Sequence, residues 1–201
     1  EVQEQMRLLS RYATAIEALQ KVAPSNSPKG EDSASAAVKS SPLGGNEGGQ
    51  LLEQYDQLLA DKAVNEQRQQ LLIKDEQALA PWGDFDPASV ERLVKAGYDI
   101  NFFACAPRLY KEEWESEYNA IVINQDKSKV YFITVTAPGT EISIEAEMCR
   151  LPQSSLGNVV AELEALKTGN AAIEQKIAAF AANHLADLKA AHEALQSEIS
   201  F

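Results

Sequence analysis

Apolar residues recur at helical intervals in three stretches of the chain and at strand intervals between the second and the third. In residues 1–23, Val2, Met6, Leu9, Ala13 and Ile16 alternate spacings of four and three, which places them in one stripe on a helix. The stripe covers about three turns, so this helix is marginal alone. In residues 51–80, Leu51, Leu52, Tyr55, Leu58, Leu59, Ala63, Leu71, Leu72 and Leu79 form the apolar face of a second helix, interrupted by the polar run from Asn65 to Gln70. Pro81 ends it, because proline lacks an N–H and restricts the residue before it. In the last stretch, Val159, Leu163, Leu166, Asn170, Ile173, Ile177, Phe180 and His184 follow a four-three pattern. After one slip it continues through Leu188, Ala191, Leu195 and Ile199. A helix of about 45 residues is some 65–70 Å long at 1.5 Å per residue. Such a length with a narrow seam implies pairing with other helices.

Residues 81–152 have a different pattern. Asp86 followed by Pro87 reads as an N-cap and a first-turn proline, opening a helix over 88–96 that stops at Gly97. Tyr98–Cys105 reads as a strand and Arg108–Tyr118 as a helix anchored by Leu109 and Trp114. Ala120–Ile123 and Lys129–Thr136 read as strands joined by a polar turn over Asn124–Ser128. After a turn at Pro138-Gly139, Ile142, Ile144, Ala146 and Met148 alternate with Glu141, Ser143, Glu145 and Glu147. That alternation predicts a sheet with one buried and one wet face. Leu151-Pro152 closes the lobe, and Ser154 or Ser155 can cap the last helix.

Residues 24–50 show no apolar period. Pro24, Pro28, Pro42, the Gly44-Gly45 and Gly48-Gly49 pairs and many serines read as a flexible linker. The expected organisation is therefore a first arm helix (1–23), a linker (24–50), an arm helix into the lobe (51–80), an α+β tip lobe (81–152) and a long return helix (153–201). The fold class is α+β: an antiparallel coiled-coil or helical-bundle arm capped by a small lobe with a mostly antiparallel sheet.

Charge narrows the partners. The chain has 201 residues, 18 basic and 30 acidic, for a net charge of −12. No segment is basic, so a nucleic-acid or anionic-membrane surface is not expected. Residues 81–152 carry the largest share, with twelve acidic against seven basic residues, so a partner of the lobe is expected to be basic. No run approaches the roughly 20 apolar residues of a membrane span. The chain starts at Glu1 without Met and reads as a trimmed chain or an excerpt of something longer. Two cysteines, Cys105 and Cys149, suggest a reducing, cytoplasmic setting.

The residues offer little chemistry. His184 and His192 lie eight apart on one helix and lack a third metal ligand, so they read as a seam histidine and an exposed one. Cys105 has no histidine in the lobe to activate it and reads as packing. Glu112, Glu113, Glu115 and Glu117 spread around a short helix as a solvated face. The glycines over 44–49 lead to no phosphate-loop signature. No cofactor, metal or catalytic residue is expected. The candidate partner contacts are Trp82, Phe85 and Trp114, because large aromatics dominate interface hot spots. The competing reading is that Trp82 and Phe85 pack locally, as aromatics beside a Pro-Gly turn usually do.

One succession is more specific. Pro81-Trp82-Gly83-Asp84-Phe85-Asp86-Pro87 directly follows a helix and precedes a short helix ending at Gly97 and the strand segment Asn101-Phe102-Phe103. Arg150-Leu151-Pro152 then opens the long return helix. This succession resembles the cytoplasmic region of subunit I of V-type ATP synthases, the homologue of the eukaryotic proton-pump subunit a. It covers residues 51–201, and 1–50 by arrangement alone. The resemblance implies a stator element: a long helical arm whose tip lobe docks on peripheral-stalk subunits and resists torque, on the cytoplasmic side of the membrane. Measured against that family, the chain lacks the membrane half with its channel arginine and the first strands of the membrane-proximal lobe. Only the mechanical role is therefore expected of these residues, and any membrane link would run through a missing C-terminal transmembrane part. The alternative is a generic coiled-coil adaptor or chaperone-like clamp that grips a protein between its arms.

Overall fold

A computed structural model describes residues 1–22 and 47–200. The linker expected at 24–50 therefore lies outside the described residues as far as position 46. The described elements are α1 (Val2–Val22), α2 (Glu47–Leu79), α3 (Pro87–Lys95), β1 (Asp99–Cys105), α4 (Glu113–Glu117), β2 (Ile121–Gln125), β3 (Val130–Thr136), β4 (Glu147–Cys149) and α5 (Leu156–Ile199). The protein is thus α+β. The chain divides into two compact units, Glu1–Gln67 with Lys167–Phe201, and Arg68–Leu166.

In the first unit, α1 and parts of α2 and α5 share one core. Tyr12, Ala15 and Leu19 of α1 meet Leu51, Leu52 and Tyr55 of α2 and Ile177, Phe180, Ala181 and Leu188 of α5. Fully burying an apolar side chain of this size contributes roughly 1.5–3 kcal/mol. Within this unit α2 and α5 run antiparallel. Gly48 lies against Ala191, the Tyr55 ring stacks on Phe180 at 6.0 Å, and Lys62 pairs with Glu174 at 3.3 Å. The α5 seam is the one the sequence predicts, with His184 half-buried beside Phe180 at a ring separation of 5.0 Å.

The α1 stripe is rotated from the expected one. Val2 and Met6 are exposed, and the buried positions are Tyr12, Ala15 and Leu19, with Leu8 and Ile16 packed beside them. Both stripes have four-three spacing. Neighbouring helical positions lie about 100° apart, and adjacent apolar residues such as Leu8 and Leu9 leave the choice of face to the partner helices. The start of α2 also differs: Glu47 to Gln50 are helical, so the expected linker ends four residues early.

In the second unit, α2 and α5 again face each other. Leu72 and Leu79 pack with Val159 and Leu163, and Arg68 holds Glu162 through two hydrogen bonds of 2.8 and 3.2 Å. Between them in sequence lies a four-stranded antiparallel sheet of order β2-β3-β1-β4. Strands β1 and β3 are rich in aromatic and β-branched residues, which suit a pleated, packed surface. Their register sets Phe103 opposite Phe132 and Phe102 opposite Ile133. One face carries Phe103, Cys105, Phe132 and Val130 under Trp114 and Ala120.

Three expectations fail in this unit. The face opposite Phe103 and Phe132 is mixed, not simply wet: Phe102 and Tyr131 pack against Trp82 and Phe85, while Ile121 and Glu147 stay exposed. The helix expected over Arg108–Tyr118 shrinks to Glu113–Glu117, preceded by a 3₁₀ turn over Pro107–Leu109. The long fourth strand shrinks to Glu147–Cys149. Ile142, Ile144 and Ala146 keep their alternation and pack on the core, while Met148 is 57% exposed. The register explains the shortening. Glu147 pairs with Ala104, which leaves only Cys105 of β1 beyond the pair, so the residues before Ala146 run past the end of β1 toward Pro107, which has no N–H to offer.

Candidate partner-docking surface

The turn at Pro81–Asp86 anchors the lobe through short polar ties. A 3₁₀ turn over Ala80–Trp82 ends at Gly83, whose φ of 79° is one that L side chains rarely adopt. The Pro81 carbonyl accepts a 2.9 Å hydrogen bond from the side-chain amide of Asn124 on β2. Two carboxylates cap helices on either side. Asp86 accepts from the Ala88 N–H at 3.0 Å and starts α3, while Asp84 accepts from the Gly157 N–H at 3.1 Å in the first turn of α5. Both place negative charge at a helix N-terminus, where it is favoured. Ser155 also caps α5, accepting from the Asn158 N–H at 3.2 Å. An open depression of about 660 Å³ beside these groups is lined by Asp84, Asp86 and Glu91. Two of its three carboxylates thus serve the scaffold.

The structure turns two of the three candidate aromatic contacts inward. Trp82 is 7% exposed and meets Phe102 and Tyr131 edge-on, with ring centroids at 5.1 and 5.6 Å. Trp114 is 4% exposed and stacks on Phe132 at 5.5 Å across the opposite face of the sheet. Phe85, half-buried, stacks on Phe102 at 6.0 Å and also touches the cluster of Leu72, Leu79, Val159 and Leu163. The local-packing reading of Trp82 and Phe85 describes the geometry, and the three do not form one patch.

A different set of residues is exposed. α3 has no buried residue, and its Leu93 and Val94 are open to solvent. On β2, Ile121 is 51% and Ile123 44% exposed. Between α3 and the sheet is a slot of about 230 Å³, lined by Val90, Leu93, Phe102, Ile123 and Ile133 over the Trp82 and Phe85 rings, with Ser89 as its single polar side chain. One nine-residue helix does not cover a four-stranded face. The signal was present in the sequence: Ile121-Val122-Ile123 is apolar without alternation, and α3 carries adjacent Leu93 and Val94. Neither pattern is what a strand or helix with one buried face displays.

Among the described residues, the remaining candidate groups are accounted for by packing or solvent. The Cys105 thiol is 6% exposed, and burial pushes its pKa up, away from the thiolate. Glu112, Glu113, Glu115 and Glu117 are exposed, and Glu115 accepts a 3.1 Å hydrogen bond from the Tyr110 hydroxyl. Among the described residues no cluster of three or more His, Cys, Asp or Glu could hold a metal ion. No helix among them is long and apolar enough to cross a membrane. No family model matches the sequence, and no curated protein matches it.

Proposed function

We propose that this chain is a non-catalytic stator segment of a rotary V-type ATPase or ATP synthase. In this reading α2 and α5 form a stiff antiparallel arm on the cytoplasmic side of the membrane, and the lobe between them docks on peripheral-stalk subunits and resists torque. The observation that carries it is the succession α2, Pro81-Trp82-Gly83, a small α+β lobe, Leu151-Pro152, α5. That succession occurs together with helix-to-helix contacts such as Lys62 with Glu174 and Arg68 with Glu162. Helices held side by side along an apolar seam transmit load, which a flexible tether does not. The acidic surplus of residues 81–152 suits a basic partner.

Co-purification of the full chain with a purified peripheral-stalk complex tests the reading. Binding that weakens as salt rises is the expected result, because the acidic surplus is screened. No binding at any salt concentration would overturn it.

A further inference from the structure

We infer that the free edge of β2, with the slot beside it, is the lobe's docking surface, and that its occupant is an extended strand from a basic protein. The stator reading supplies only the name of that partner; the surface argument stands on the lobe itself.

Among the described residues, strand β2 pairs on one side only, with β3. The outward backbone groups of an edge strand are a template for another strand; in β2 the Gln125 N–H is already taken, by the Asn124 side-chain oxygen at 2.8 Å, which leaves the Ile121–Ile123 stretch as the site of pairing. The two edges of the sheet differ. The β4 edge is guarded, being three residues long and carrying Glu147. The β2 edge, Ile-Val-Ile-Asn-Gln, has no charge and no proline, and every residue in it is exposed. A bulge between Val122 and Asn124 leaves Ile123 without a partner residue on β3. Bulges of this kind re-aim a side chain, and Ile123 lines the slot. A strand added to β2 therefore gains backbone hydrogen bonds along the edge. Every second side chain points to the face where the slot lies, and the apolar lining selects an aliphatic or aromatic residue.

Charge selects the source of that strand. A second copy would bring together two chains of net charge −12. A basic protein is drawn to the same surface. Glu115 and Glu117 precede β2, and Lys127 and Lys129 follow it in the hairpin turn. The incoming strand therefore runs with its basic end beside the glutamates.

The test is hydrogen exchange on the full chain with a short synthetic peptide of alternating valine and lysine, against the same peptide N-methylated at every amide. The two share charge and side chains, but the second has no backbone N–H to donate along either edge. At about ten times its dissociation constant the first peptide should slow exchange of the outward-facing amides of Ile121–Ile123 roughly tenfold, and the second should not. Ile123→Lys should abolish the protection, while Met148→Lys on the other edge should leave it intact. Equal protection by both peptides, or protection confined to β4, would overturn the proposal. Dimerisation through β2 in sedimentation without peptide would overturn it in favour of a second copy. If the stalk complex binds wild type and Ile123→Lys equally, the edge proposal falls and the stator reading survives. If the stalk complex never binds but the peptide protects β2, the reverse holds.

Discussion

The Tyr12 hydroxyl fills the space where a side chain at Gly48 would begin. A Cβ at residue 48 would overlap that hydroxyl and lie 3.0 Å from the Ala191 methyl. Tyr12 is itself buried, so its ring has nowhere to swing. Alanine is the better helix former by about 1 kcal/mol, yet Gly48→Ala should destabilise the protein, because overpacking costs about 1–3 kcal/mol. Tyr12→Phe in the same chain should recover part of the loss. A double-mutant cycle by urea unfolding measures the coupling, and additive effects would show that the two residues do not touch.

Trp82→Ala should unfold the lobe readily. The indole is packed edge-on against Phe102 and Tyr131, and truncating such a side chain costs about 3–5 kcal/mol. Denaturant midpoints check this. A variant of wild-type stability that had lost partner binding would instead restore Trp82 as a contact residue.

The two thiols should differ in reactivity. Cys105 is buried and Cys149 is half-exposed on the edge strand β4. Both pKa values are raised, in each case first by burial, and for Cys149 also by the charge of Glu147. With a disulfide reagent at neutral pH, Cys149 should react slowly and Cys105 only on unfolding. Rapid reaction of both in the native protein would contradict the packing of the sheet.

Alkaline pH should weaken the fold. Burial, followed by the hydrogen bond to Glu115, pushes the Tyr110 pKa from the ordinary 10.0 up to about 12. Because the folded protein holds this proton more tightly than the unfolded chain, the contribution is complete below pH 10. It is lost as pH rises from about 10 to 12. Tyr12 and Tyr55 are shifted in the same direction by burial, so Tyr110→Phe should flatten the loss without removing it. Urea midpoints across that range test the slope, and an unchanged slope in the variant would refute the assignment.

What the sequence determined by itself was local. The Asp86-Pro87 start of α3, its stop before Gly97 with φ 99°, the β2–β3 hairpin around Asp126, and the α5 seam all follow from backbone chemistry and periodicity. These act within a few residues of chain. What the tertiary structure decided depended on distant partners. The face of α1 that is buried, the entry of Gly48 into α2 against Tyr12, and the early end of pairing at β4 required knowing what packs opposite. The candidate surface divided along the same line. Aromatic character marked Trp82 and Trp114 as important, but only the packed sheet turned them inward and left Leu93, Ile121 and Ile123 outside. Hydrophobicity drives burial without direction, so a sequence shows which side chains leave water, while the tertiary fold decides which are left facing it.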